Sequence, residues 1–153
     1  MSQFLGSHKA KLDTKGRTSV PAQFRAALRK ESDSATAALI LRASHKHKCV
    51  EGWPADIFAS FAKSLEKVDL FDDDGDDLTT ALYADAWPVE ADKEGRIILP
   101  DSLVQYAGLS DSVVFMGLGR QFQIWEPDAA ARRTAEARER ARSRSLTLPG
   151  AAA

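Results

Sequence analysis

The chain has 153 residues, 44% of them apolar and 28% charged, with a formal net charge of −1, which suits one compact domain or two small units sharing a core. No apolar run reaches membrane-span length, the N-terminus carries no signal-peptide pattern, and the single cysteine, Cys49, excludes an intrachain disulfide. The expected compartment is therefore the cytoplasm. The small net charge hides a segregation: residues 1–30 carry a balance of +6 and residues 66–94 one of −9, which predicts one basic face on the folded protein.

In chain order, residues 8–12 give a weak strand signal, Lys alternating with smaller residues. Asp13 to Gly16 reads as a turn, since Asp can bond its own downstream backbone and Gly is free to take positive φ. Residues 17–20 return as a strand, which predicts a hairpin with a basic tip. Pro21 opens a short helix whose apolar stripe is Phe24 and Leu28. Residues 38–41 form a buried-strand candidate, residues 49–53 its partner, with a His-Lys loop between them. Pro54 opens a helix carrying Ile57, Phe58, Phe61, Leu65 and Val68 at helical spacing, and the acidic run 72–77 reads as an exposed linker. The later segments repeat the order: a turn at residues 92–96, a short helix from Pro100, strands at 113–116 and 122–125. Pro127 then opens a last helix, rich in Ala with six arginines, expected to fray, and residues 146–153 are expected to be disordered.

The repeat is the strongest signal. Asp13, Gly16, Arg17 and Pro21 recur as Asp92, Gly95, Arg96 and Pro100, each 79 residues later. Four special residues held at one offset indicate an internal duplication. Trp53 and Trp125 close equivalent strands, so the repeat extends beyond the motif. A turn motif alone explains Asp and Gly. The duplication predicts that two hairpin units interlock about a pseudo-two-fold axis, as a homodimer of single copies would.

Taken together, Phe4-Leu5-Gly6-Ser7, then Leu12-Asp13-x-Lys15-Gly16-Arg17-x-Ser19-x-Pro21, then Asp92-Lys93-x-Gly95-Arg96-Ile97-x-Leu99-Pro100 resemble the MraZ family over about residues 3–126. The resemblance implies an α+β fold of duplicated AbrB/SpoVT-like swapped-hairpin units, forming a small β-barrel-like core with short flanking helices. Units at 3–55 and 87–127 would be joined by a helix and acidic linker over 56–86 and followed by an Arg-rich helix and tail over 128–153. It also implies a non-enzymatic, nucleoid-associated regulator, usually a repressor, of the division and cell-wall gene cluster and of its own gene. Its partners would be double-stranded promoter DNA with tandem repeats and further copies of itself in a ring, with no cofactor and no membrane. The acidic run departs from the family pattern, which is basic in that segment.

Charge assigns the expected DNA contacts to the first copy: Lys9, Lys11, Lys15, Arg17, Arg25 and Arg29, because phosphate neutralisation drives much of DNA binding. Asp13, Gly16, Asp92, Gly95 and Arg96 are assigned to turn structure and ion pairing, and Arg96 replacement is expected to disturb folding or assembly first. His45, His47 and Cys49 lack a fourth ligand for a closed zinc site and read as a solvent loop. The acidic run has no Glu at the twelfth position of a calcium loop. No nucleophile–base pair or phosphate-binding Gly loop argues for catalysis. A protein-binding antitoxin or adaptor built on the same hairpin fold is the alternative reading.

Overall fold

The structure, a computed structural model, describes residues 3–31, 38–69 and 71–150. The first copy contributes β1 (Ser7–Lys11), β2 (Arg17–Ser19), α1 (Ala22–Glu31), β3 (Ala38–Ala43) and β4 (Val50–Pro54), followed by α2 (Ala55–Leu65) and α3 (Asp73–Tyr83). The second contributes β5 (Ala86–Glu90), β6 (Arg96–Ile98), α4 (Asp101–Tyr106), β7 (Ser112–Gly117) and β8 (Phe122–Trp125), and α5 (Pro127–Ser143) ends the fold.

The two copies are interlocked. Six antiparallel strands run in the order β1-β7-β8-β4-β3-β5, and β2 pairs only with β6. Each copy therefore lends its first strand to the other copy's third: Lys9 stands opposite Val114, and Pro88 opposite Ile40. In the β2–β6 ribbon Thr18 faces Ile97, flanked by Arg17–Ile98 and Ser19–Arg96. Since Thr18 and Ile97 are themselves equivalent by the 79-residue offset, the pseudo-dyad passes through this pair. The backbone bonds beside it repeat the symmetry: Val20 N–H donates to Gly95 O at 2.9 Å and Leu99 N–H to Gly16 O at 2.8 Å.

Two expectations are corrected here. The expected hairpin does not pair with itself, because β1 and β2 lie in different sheets. Each pairs instead with an apolar strand of the other copy, β1 with β7 and β2 with β6. Nor does the sheet close into a barrel, since β1 and β5 remain free edges. The alternating lysines of β1 suit such an edge: Lys9 and Lys11 point out while His8 and Ala10 turn inward, and edge lysines deter pairing with other chains. On β5, Pro88 removes a donor from the other edge.

One face of the six-stranded sheet carries Leu39, Leu41, Val50, Phe115, Phe122 and Ile124 against Val20 and Ile97 of the ribbon and Phe24 and Leu103 of α1 and α4. Phe24, at 0% exposure, packs edge-on against Phe4 with ring centroids 5.2 Å apart. The opposite face holds the smaller cluster of Cys49, Met116, Trp125 and Ala130. Alternation along each strand explains both faces.

The acidic run is exposed, as its charge predicts, but forms the start of α3 rather than a linker. Asp73, Asp74 and Asp76 sit in the first turn, where the helix dipole favours carboxylates. The Ala-rich α5 is continuous from Pro127 to Ser143, with Glu126 accepting bonds from the N–H groups of Asp128 and Ala129 and Ala130 buried against the sheet. Beyond it, residues 146–150 are exposed, and 151–153 of the expected disordered tail lie outside the described residues. No helix among the described residues is long and apolar enough to cross a membrane.

The dyad pair itself makes a prediction. The Thr18 hydroxyl is buried without a hydrogen-bond partner. Thr18→Val keeps the shape and removes the unpaired oxygen, so it is expected to raise stability by about 1 kcal/mol, or about 2–4 °C in melting temperature. A lower melting temperature by calorimetry would refute this account.

Candidate nucleic-acid interface

The two turns are built alike. Gly16 and Gly95 take φ of +84° and +80°, a region open to glycine and strained for other residues. Their N–H groups donate to Asp13 O and Asp92 O, both at 3.0 Å. Each Asp then folds its carboxylate over the turn. Asp13 Oδ1 accepts from the N–H groups of Lys15 and Arg17 at 2.9 and 2.8 Å, and Asp92 Oδ1 accepts from those of Glu94 and Arg96, both at 2.9 Å. The other oxygen takes Nε–H of the arginine, at 2.8 Å from Arg17 and 2.9 Å from Arg96. Binding through Nε leaves the outer edge of the Arg17 guanidinium open, whereas Arg96 Nη2 also pairs with Glu94 Oε2 at 3.0 Å.

Hydrogen bonds from the arginine backbone, joined by the guanidinium, hold both carboxyls below their ordinary pKa. Bonding to Asp92 correspondingly raises Arg96. A lowered native pKa stabilises fully above the unfolded value and ceases to do so as pH falls through the native one. The window therefore lies below the ordinary value of 3.8. Thermal melts between pH 5 and pH 2 should fall more steeply for the wild type than for Asp13→Asn/Asp92→Asn. Parallel curves would remove the turns from the acid response.

The pseudo-dyad brings both arginines to one place. A groove of about 700 Å³ is lined by Lys9 and Lys11 of the edge strand, by Arg17, by Arg25 of α1 and by Arg96 of the second copy. Lys15 is exposed at the tip of the first turn and Arg29 is exposed further along α1; neither lines the groove.

The residues assigned from sequence thus divide by environment. Lys9, Lys11, Lys15, Arg17 and Arg29 are exposed. Arg25 is half-buried: it lies over Gly95, where an added Cβ would strike its side chain, and its Nη1 donates to Glu94 O at 3.2 Å. It clamps α1 of one copy onto the turn of the other. Arg96 is as exposed as Arg17, at 43% for each side chain, and among the described residues it pairs with Asp92 and Glu94. Sequence reasoning set Arg96 aside because its neighbours are acidic. That signal concerns local charge, while exposure and position follow from the dyad.

The charge asymmetry survives the symmetry. In the first turn Lys15 and Arg17 outnumber Asp13, whereas in the second Asp92 and Glu94 balance Lys93 and Arg96. The His-Lys loop gathers no ligand set. His45 Nδ1 lies 3.2 Å from Arg42 Nη2, the His47 ring lies 5.7 Å from that of Trp125, and Cys49 is fully buried, its thiol pushed up to about 12 chiefly by that burial.

Comparison with known proteins agrees with the duplicated geometry. The sequence model of the family described as "MraZ protein, putative antitoxin-like" matches residues 3–80 and 82–145, two spans whose starts are 79 residues apart. The protein named Transcriptional regulator MraZ from Gluconacetobacter diazotrophicus is 58% identical over 97% of this chain and 93% of its own length. Its namesake from Gluconobacter oxydans is 54% identical over 94% of this chain and 87% of its own length. The one from Rickettsia bellii is 35% identical, with 97% and 95% covered. A family match spanning both repeats, near full-length identity of this order and the twin Asp–Gly–Arg turns agree: this chain belongs to the MraZ family.

Proposed function

We propose that this protein is a transcriptional regulator that binds double-stranded promoter DNA through the groove on its pseudo-dyad. The observation that carries the reading is the convergence of Lys9, Lys11, Arg17 and Arg96, from both copies, on one open surface. The names of its relatives support the regulatory role. Lys15 and Arg29 extend the basic surface, and Arg25 acts there mainly by holding the second turn. The Arg17 guanidinium, fixed through Nε, is pre-oriented, and its open edge can address a guanine or bridge two phosphates. In this reading Arg96 contacts DNA beside Arg17, rather than serving assembly alone.

About four phosphate contacts per subunit would give a salt slope of roughly −3.6 per subunit. That is weak binding for one subunit, so tandem promoter repeats read by a ring of copies would supply avidity. The regulated genes would be the division and cell-wall cluster together with the protein's own gene, mostly by repression, in the nucleoid-associated cytoplasm. The experiment is a gel-shift titration on the gene's own upstream duplex against a scrambled duplex, at two salt concentrations. Repeat-dependent, salt-sensitive retardation is the expected result. Equal binding to both duplexes would overturn sequence-specific regulation and favour the protein-binding antitoxin or adaptor reading.

A further inference from the structure

The sheet face opposite the main core carries a polar row across its centre: Arg42 stands opposite Glu51, and Glu51 opposite Gln123. The two copies cover this face differently. On the first copy's side α2 and α3 form a wall, while residues 44–47 form the facing rim, and between them opens a cleft of about 450 Å³. That volume falls within the roughly 300–1,000 Å³ typical of small-molecule sites. It is distant in the fold from the groove, which lies on the β1 edge and the β2–β6 ribbon.

The walls are apolar: Trp53 and Phe61, edge to face with centroids 4.7 Å apart, then Leu65, Leu78 and Leu82. Leu78 remains 41% exposed, so among the described residues that wall is left partly uncovered. The floor is polar and buried. The Arg42 side chain is 2% exposed; its Nη1 donates to Glu51 Oε1 at 2.6 Å and its Nη2 to Ala81 O at 3.0 Å. Among the described residues its Nε–H has no partner, and neither has the buried side-chain oxygen of Gln121, which lines the same cleft. A buried arginine donor left unpaired is costly, which makes it a place for an acceptor.

Charge at the rim selects the sign of that acceptor. Among the described residues Glu51 is the only lining carboxylate, and its Oε1 is taken by Arg42 and by Trp53 Nε1–H at 3.0 Å. The rim carries Lys46, His45 and His47. Burial first, then the charges of Arg133 and Lys46, lower the pKa of His47.

We propose that this cleft binds one small amphipathic anion, its aromatic or branched apolar body between the Trp53–Phe61 pair and Leu78, and its acidic head towards Lys46 and Arg42. The inference stands apart from DNA binding. Its probe is 1-anilinonaphthalene-8-sulfonate, titrated into the full-length protein and read by energy transfer from tryptophan. Saturable binding at one site per chain is expected. Lys46→Glu should weaken it at least five-fold, the uncharged N-phenyl-1-naphthylamine should bind at least ten-fold more weakly, and Ser64→Trp, which fills the cleft from an exposed helix position, should abolish it. Thermal melts and duplex gel shifts check that both variants fold and keep their DNA affinity. Absence of saturable binding, as when another copy seats on the cleft, would overturn the proposal. So would binding at many sites, or binding indifferent to Lys46, to Ser64 or to the sulfonate.

Discussion

Reversing both basic residues of the first turn, Lys15→Glu with Arg17→Glu, should lower duplex affinity by about two orders of magnitude or more and flatten the salt slope by roughly 2. Both side chains are exposed, and Arg17 makes no buried contact, so the melting temperature should change little. The lost binding would then reflect charge at the groove and the adjoining turn tip rather than a broken fold. Arg96→Glu tests the other half of the dyad. At the same 43% exposure and in the same groove, it should cost roughly ten-fold in affinity with folding intact. A folding defect with normal DNA affinity would return Arg96 to a structural role. If the double reversal left affinity and salt slope unchanged, the groove would not be the DNA surface.

Glu51→Ala should destabilise the protein by about 3–5 kcal/mol, because it strands a buried guanidinium. The pair is well shielded, with side-chain exposures of 2% for Arg42 and 11% for Glu51. Arg42 also reaches Ala81 O on α3, so the loss should loosen that helix from the sheet. The protein contains its own control. By strand position Met116 and Gln123 in the second copy replace Arg42 and Glu51, and Trp125 Nε1–H donates to Gln123 Oε1 at 2.8 Å as Trp53 does to Glu51. Arg42→Met with Glu51→Gln copies that arrangement and should recover more than half of the loss in urea unfolding. A single-mutant cost below about 1 kcal/mol would mean that water entering through the cleft already solvates Arg42.

Much of the candidate site was legible because turns are local. Asp, Gly and Arg at fixed spacing specify a carboxylate folded over three or four residues, and the same chemistry appears twice. Strands β3, β4, β7 and β8 were legible from apolar runs, and the helices after Pro21, Pro54, Pro100 and Pro127 from their starts, while β5 gave no such signal. The acidic run was misread because five aspartates within six residues resemble a solvated linker, while their position at the start of α3 makes that charge favourable to a helix.

What the sequence determined by itself was the duplication, its 79-residue offset, the two equivalent Asp–Gly–Arg turns and the segregation of charge. What only the tertiary structure decided was which strand pairs with which. Adjacent strands such as β1 and β2 look like a hairpin from sequence, because period-two alternation fixes a strand's faces and leaves its partner open. Exchange between copies buries Val20, Ile97 and Leu99 together, an apolar gain that self-paired hairpins of three to five residues could not reach. The same exchange places Arg96 in the groove beside Arg17, and it opens the cleft over Arg42 where the two copies, equivalent in their strands, differ in the helices that cover them.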